Sequence, residues 1–115
     1  MVKYYHHSLD HIFFALSDAT RRGILSELQK GYKNATQLAA PFAVSLPMIS
    51  KHLKILEKAN LLERFKKGRI HYFSLKKEGM QEAQEWIAFF DHFWTQKLDN
   101  LEAFLALHEK GKSDE

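Results

Sequence analysis

The sequence predicts a mainly α-helical fold with one small β-hairpin, and three observations support this prediction. Apolar residues recur at helical spacing over most of the chain, as at Ile49, Leu53 and Leu56. Late in the chain, two short runs rich in aromatic and β-branched residues flank Gly68, which can supply the positive φ of a tight turn. The chain has 115 residues and no linker, repeat or low-complexity segment, so one domain over residues 1–115 is expected.

The first two helices are predicted from apolar spacing and a capping residue. The first helix, over about residues 8–16, has a single apolar stripe made of Leu9, Ile12, Phe13 and Leu16. Asp18 then stands where an N-cap is expected for a second helix, and Gly31 stands where that helix should stop.

Two further helices with a tight turn between them are predicted over about residues 36–59. Thr36 is placed to cap the first of them, which is short. Ser45 is placed to cap the second, Pro47 fits its first turn, and Asn60 can end it. A short helix and a second helix that exposes polar side chains at its start are typical of a helix-turn-helix.

A hairpin over about residues 61–75 and a long helix over about 78–108 complete the predicted chain. A basic hairpin beside a helix-turn-helix is spaced as a wing. The expected fold is therefore a winged helix-turn-helix. Its elements in order are four helices, the two strands of the wing and a fifth helix, and it dimerises through the terminal helices.

Charge is divided unevenly along the sequence. From Ser45 to Lys77 there are nine cations and two acids, a net charge of +7, whereas three lysines and nine acids from Glu78 onward give −6. A basic middle before an acidic helix indicates a local site for a polyanion. The alternative is an ordinary solvated lysine face.

Double-stranded DNA is the polyanion that the predicted geometry favours, because an α-helix about 10–12 Å across fits a major groove about 12 Å wide. The residues expected to approach base edges are those at the start of the second helix of the motif, namely Ser45, Leu46, Pro47 and Ser50. Cations expected near phosphates are Lys51 and Lys54 on the helix and Lys66, Lys67 and Arg69 at the hairpin tip. His52 is assigned either to packing or to a phosphate contact.

The last helix is more apolar than a small monomer needs. Overall 45% of the residues are hydrophobic and 13% aromatic, which suggests an oligomer. We expect a symmetric homodimer whose interface contains Leu9, Phe13, Phe90, Phe93, Trp94, Leu98, Leu101 and Leu105. The same aromatic side chains would alternatively line a pocket for an apolar inducer.

Three segments carry a family resemblance: residues 15–28, residues 38–75 and residues 89–105. Together they resemble ArsR-type winged helix-turn-helix transcriptional regulators, in particular the branch without known metal ligands, over about Leu9 to Leu105. The resemblance implies a homodimeric repressor that binds a palindromic operator and is released by a small-molecule inducer. It does not identify the operator, the regulated genes or the inducer, and the binding residues alone do not separate repressor from activator.

Other functions have less support in the residues. The absence of cysteine excludes thiolate metal sites and disulfides. The resemblance implies that a zinc site of this family has two histidines eleven residues apart on the last helix, but Ala103 stands eleven residues after His92. A metal site built from His6, His7, Asp10 and His11 across a dimer remains an alternative, as does a winged-helix module that binds protein and not DNA. No cofactor is expected, and no glycine-rich phosphate loop or nucleophile grouping indicates an enzyme. Without an apolar run long enough for a membrane span or signal peptide, the expected location is cytoplasmic.

Overall fold

The computed structural model describes the backbone of residues 2–113 and the side chains of residues 7–109. Its elements in chain order are α1 (Val2–Leu16), α2 (Ala19–Leu28), β1 (Lys33–Asn34), α3 (Ala35–Ala39), α4 (Leu46–Lys58), β2 (Leu62–Lys67), β3 (Ile70–Leu75) and α5 (Lys77–Ser113). The predicted fold class is confirmed, and both terminal helices are longer than expected. Among the described residues, no helix has the length and apolar character needed to cross a membrane.

The sheet has one more strand than the predicted hairpin. The strands lie in the order β1-β3-β2 and all pairs are antiparallel. The additional strand contains only Lys33 and Asn34, which pair with Phe73 and Tyr72 of β3. Because two residues cannot show the period-two alternation that identifies a strand, nothing in the local pattern indicated it.

Helix α3 begins earlier than expected, because Asn34 and not Thr36 caps it. The Asn34 side chain accepts a hydrogen bond of 2.9 Å from the backbone N–H of Gln37. The Gln37 side chain in turn accepts a bond of 2.9 Å from the backbone N–H of Asn34, which completes a capping box. The strand pairing of Asn34 therefore places the start of the helix-turn-helix on the sheet.

Helix α4 is bounded at both ends by the residues that the sequence indicated. The Ser45 hydroxyl accepts a hydrogen bond of 3.4 Å from the backbone N–H of Met48, and Pro47 lies in the first turn. At the other end Asn60 has a φ of 58°, and its N–H and that of Leu61 donate to the carbonyls of Glu57 and Leu56. This pair of bonds is a Schellman motif, which turns the chain directly into the hairpin.

The chain divides into two compact units with a boundary after Ala83. The first unit contains a continuous core made from α1 to α4, the sheet and the start of α5. Its fully buried large side chains are Ile12, Ile24, Leu38, Ile49, Leu53, Leu56, Leu61 and Leu62. Gly23 in α2 fits this packing because a Cβ atom there would lie 2.6 Å from the Phe42 ring. The segment between α3 and α4 therefore packs directly on the α2 backbone.

The second unit is the part of α5 that begins at Gln84. Its aromatic side chains contact one another along the helix, with ring centroids 4.8 Å apart for Trp86 and Phe90 and 5.4 Å apart for Phe93 and Trp94. Phe89 nevertheless remains 69% exposed and Leu98 62% exposed. These residues form the apolar face of α5, which comprises Phe89, Phe90, Phe93, Trp94, Leu98, Leu101, Phe104 and Leu105.

Candidate nucleic-acid interface

Helix α4 has one buried face and one exposed face, as its sequence predicts. Ile49, Leu53 and Leu56 are at most 1% exposed and pack in the core of the first unit. The side chains of this region that the sequence assigned to DNA are all exposed apart from His52, and they are Ser45, Leu46, Pro47, Ser50, Lys51 and Lys54. The polar and basic side of the helix is thus free of the core.

The start of α4 is suited to an anionic partner. The first turn contains no acidic residue, so the positive end of the helix dipole is not neutralised by a side chain within the helix. The Ser45 hydroxyl uses a lone pair to accept from Met48, which leaves its O–H able to donate. Leu46, about half exposed, presents an apolar side chain of the kind that packs on a thymine methyl group.

A groove of about 560 Å³ lies between α4, the start of α3 and the hairpin, and we call it the wing groove. Its lining includes two hydroxyls, four basic or imidazole side chains and no carboxylate; these residues are Thr36, Ser50, Lys54, Arg64, Arg69 and His71. A lining of donors without acids matches the acceptor oxygens of a phosphate backbone. The structure thus brings Ser50, Lys54 and Arg69 together in one groove. It adds Thr36, Arg64 and His71, which the sequence analysis did not assign to DNA.

Arg64 is the added residue whose position is most closely determined. Its Nη2 atom donates to Glu57 Oε1 over 2.7 Å, and its guanidinium lies 5.2 Å from the centre of the Phe73 ring. Strand alternation could have indicated this placement, because Arg64 is two residues from the buried Leu62 and so shares its side of the sheet. The side chain is held between α4 and β3 before any ligand binds.

The cations of the hairpin do not all point the same way. Lys67 does not line the wing groove; its Nζ atom donates to the Tyr32 hydroxyl over 3.0 Å. This hydrogen bond raises the pKa of Lys67 above its ordinary value, so the side chain is held as a cation. Tyr32 also packs edge-on against Phe65 and Tyr72, at 5.1 Å from each ring. Lys66 is exposed on the neighbouring position of β2.

His52 lies in the interior, so the structure supports the packing assignment and not the phosphate contact. It is 9% exposed, and its Nδ1 atom lies 3.1 Å from Nη1 of Arg21, which is itself 6% exposed. Because a guanidinium can only donate, Nδ1 must accept and the ring proton must reside on Nε2. Arg21 also donates to the carbonyls of Phe14 and Ala15 at the end of α1. Sequence reasoning missed Arg21, because the partners that bury it come from two other helices.

The residues assigned to a dimer interface differ in their surroundings. Leu9 packs against the core of the first unit, whereas Phe13 is partly exposed. On α5 the six assigned side chains are all exposed, and they are Phe90, Phe93, Trp94, Leu98, Leu101 and Leu105.

The proposed histidine site near the N-terminus is only partly described. The side chain of His6 lies outside the described residues. Among the side chains that the structure does describe, no group of three or more His, Cys, Asp or Glu residues is placed to hold a metal ion.

Comparisons with known proteins agree with this geometry. A model of a helix-turn-helix domain matches residues 16–64, which run from the end of α1 into β2. The chain is 38% identical to the transcriptional repressor SdpR of Bacillus subtilis over 79 residues, which are 69% of this chain and 88% of the relative. It is 34% identical to the HTH-type transcriptional regulator Rv2034 of Mycobacterium tuberculosis over 79% of this chain and 82% of that one.

A solved structure extends the agreement to the fold. The ArsR family transcriptional regulator RHA00566 superposes with a TM-score of 0.72 at 34% sequence identity, over 77% of this chain and 92% of that one. The family model covers the helix-turn-helix, and the relatives align over more than two thirds of this chain. The chain therefore belongs to the ArsR family of winged helix-turn-helix transcriptional regulators, which are DNA-binding proteins and not enzymes.

Proposed function

We propose that the protein is a homodimeric repressor that binds a palindromic operator in double-stranded DNA. The wing groove carries this proposal, because exposed residues of α4 and of the hairpin line it with basic side chains and no acid. The related Bacillus subtilis protein is a transcriptional repressor, which favours repression over activation. Residues 1–115 would act as one DNA-binding domain, located in the cytoplasm, with the terminal helices joining two copies.

Sequence readout is assigned to the first turns of α4. In the proposed complex this end of the helix enters the major groove, where Ser45 and Ser50 donate hydrogen bonds to base edges. Leu46 packs on a thymine methyl group, and Pro47 leaves no backbone N–H to be satisfied in the first turn. His52 takes no part, since it is buried against Arg21.

Affinity that does not depend on sequence is assigned to the cations around the wing groove. Lys51 and Lys54 lie along the exposed side of α4, and Arg69 lines the groove from the hairpin. Lys66 and Lys67 would contact the sugar–phosphate backbone beside the groove, with Lys67 held in place by Tyr32. Arg64 would contribute less, because Glu57 already balances part of its charge.

The homodimer is supported by the apolar face of α5. Large aromatic side chains that remain more than half exposed, such as Phe89 and Trp94, are characteristic of a surface that a partner covers. In a symmetric dimer the two α4 helices would lie about 34 Å apart, one turn of B-DNA, and the operator would repeat each half-site as a palindrome. We propose further that a small-molecule inducer releases the DNA.

Selection from a random DNA pool, followed by titration in salt, tests the proposal. We expect an inverted repeat with half-sites one helical turn apart, and a slope of log K against log[salt] near about −5 if about six phosphates are neutralised. Lys67→Ala should weaken binding to all sequences alike, whereas Ser50→Ala should change which sequences are preferred. A direct repeat, or affinity that does not vary with salt, would contradict the proposal.

A further inference from the structure

A second cavity, of about 510 Å³, lies between α2, the end of β3 and the first turn of α5. We call it the α2 cavity. Its volume falls within the range of about 300–1,000 Å³ that is usual for small-molecule sites. It shares no lining residue with the wing groove, and none of the residues assigned to the dimer interface lines it. DNA binding and dimerisation as proposed therefore leave it unexplained.

Part of the α2 cavity is apolar. Its apolar lining side chains come from four elements and from the junction between α4 and β2, and they are Leu16, Leu25, Leu61, Leu75 and Met80. Leu25 and Leu61 belong to the core of the first unit, but Leu75 is 41% exposed and Met80 45% exposed. An unbranched hydrocarbon chain laid across them would remove this apolar surface from water.

The rest of the lining is cationic and polar. Arg22, Lys76 and Lys77 contribute positive charges, Ser26 and Gln29 are neutral, and no aspartate or glutamate lines the cavity. Arg22 donates to the carbonyl of Leu16 over 2.7 Å, and Lys76 lies 3.4 Å from the side-chain oxygen of Asn60. Both acceptors are uncharged, so these contacts do not neutralise the cations.

We propose that the α2 cavity binds a small amphiphilic anion, namely an unbranched carboxylate of medium chain length. The hydrocarbon chain packs on the five apolar side chains, and the carboxylate accepts charge-assisted hydrogen bonds from Arg22 and the lysines. A nucleic acid would match the cations but not the apolar lining, and a neutral apolar ligand would leave the cations without a counter-charge. Only a molecule with both parts uses the whole surface.

This ligand is also a candidate for the inducer, a role that rests on the proposed function. Arg22 and Arg21 are consecutive, and both bind carbonyls at the end of α1: Arg22 that of Leu16, and Arg21 those of Phe14 and Ala15. Arg21 then reaches His52 on the DNA-facing helix. A carboxylate that breaks the hydrogen bond between Arg22 and the Leu16 carbonyl would change the end of α1. Arg21 is bonded to the same end of that helix.

Calorimetric titration of the full chain with octanoate tests the site directly. We expect saturable binding of octanoate, and binding at least about tenfold weaker for octan-1-ol and for acetate, because each lacks one of the two matching parts. The double variant Arg22→Gln/Lys77→Gln should lose at least about tenfold in octanoate affinity. Lys58→Gln removes one exposed lysine outside the cavity and should leave affinity unchanged.

Folding of each variant is checked by circular dichroism, and Arg22→Lys, which keeps the charge, should retain most of the affinity. Equal binding of octanoate and octan-1-ol, or undiminished affinity in the double variant, would overturn the site.

A separate titration measures operator binding with and without octanoate. Loss of operator affinity in the wild type but not in the double variant supports the inducer role, and octanoate binding without that loss overturns the inducer role alone. Absence of DNA binding under all conditions would refute the proposed function and leave the ligand site standing.

Discussion

The two units of the chain treat their apolar residues in opposite ways. In the first unit, residues such as Ile24, Leu38 and Leu53 are at most 1% exposed. In the second, the apolar face of α5 remains largely in contact with water, although it contains larger side chains. Similar hydrophobic content therefore has two uses: one set stabilises the fold of a single chain, and the other is available for association.

Charge follows the same division. The hairpin and α4 hold most of the surplus of cations, whereas α5 is acidic. An acidic helix is a poor partner for DNA, so the proposed DNA binding falls to the first unit and the proposed association of two copies to the second. Substitutions in each unit should accordingly change different measurements.

Leu53→Ala should have the largest effect. The side chain is 1% exposed in the core of the first unit, so its truncation should lower the free energy of unfolding by about 2–5 kcal/mol. Urea denaturation measures the change. Lys54→Ala, at the adjacent exposed position, is the control and should stay within about 0.5 kcal/mol. Equal stability of the two variants would mean that α4 does not turn its Leu53 side towards the core.

Trp94→Ala should weaken association and not folding. A central aromatic residue of an interface contributes about 2 kcal/mol or more to the binding free energy. Its truncation should therefore raise the dimer dissociation constant about 30-fold. Sedimentation equilibrium measures the constant, and Gln96→Ala on the same helix serves as the control. A monomeric wild type, or an unchanged constant in Trp94→Ala, would remove α5 from the interface.

His52→Ala and Lys51→Ala should separate stability from DNA binding at neighbouring positions. Loss of the His52 ring leaves a buried N–H of Arg21 without its acceptor, which should cost about 1–3 kcal/mol of stability. Lys51→Ala should leave stability nearly unchanged and make the salt slope of DNA binding shallower by about 0.9. Denaturation and salt titration of both variants decide the assignment. If Lys51→Ala lowered the stability and His52→Ala changed only the salt slope, His52 would be assigned to the DNA contact instead.

Asp18→Asn should produce the smallest change, confined to acidic solution. The backbone N–H of Arg21 donates to the carboxylate over 3.1 Å and lowers the pKa of Asp18 below its ordinary value. The resulting stabilisation is complete above the ordinary pKa and is lost as the pH falls through the folded-state pKa. Urea midpoints measured across acidic pH should therefore fall less steeply for the variant than for the wild type. Parallel curves would show that this cap carries no charge-dependent stabilisation.

The parts of the fold that sequence reasoning predicted correctly are those fixed by local chemistry. Asp18 and Ser45 cap helices because their side chains reach backbone N–H groups three residues ahead. Asn60 ends α4 and Gly68 turns the hairpin because both adopt a positive φ. Each of these features depends on a few neighbouring residues, so a short stretch of sequence contains all the information.

The parts that it missed depend on residues distant in the chain. Strand β1 is defined only by its pairing with Tyr72 and Phe73. The N-cap at Asn34 is an exception, because Gln37 three residues later completes a capping box, and this local signal was overlooked. His52 is buried by Arg21, which lies 31 positions earlier. Of the residues that line the wing groove, the sequence had assigned Ser50, Lys54 and Arg69 to DNA, whereas Thr36 and His71 enter it only because α3 and β3 meet there. The DNA-contact assignments themselves stay predictions until the operator is identified.

The buried Arg21 also affects the free energy with which the protein can bind a target. Its bonds to Phe14, Ala15 and His52 are formed within one chain, so the angle between the first helix and α4 is established during folding. A helix pair that is already rigid gives up little rotational freedom at the moment of encounter, and less of the contact energy is consumed in ordering it.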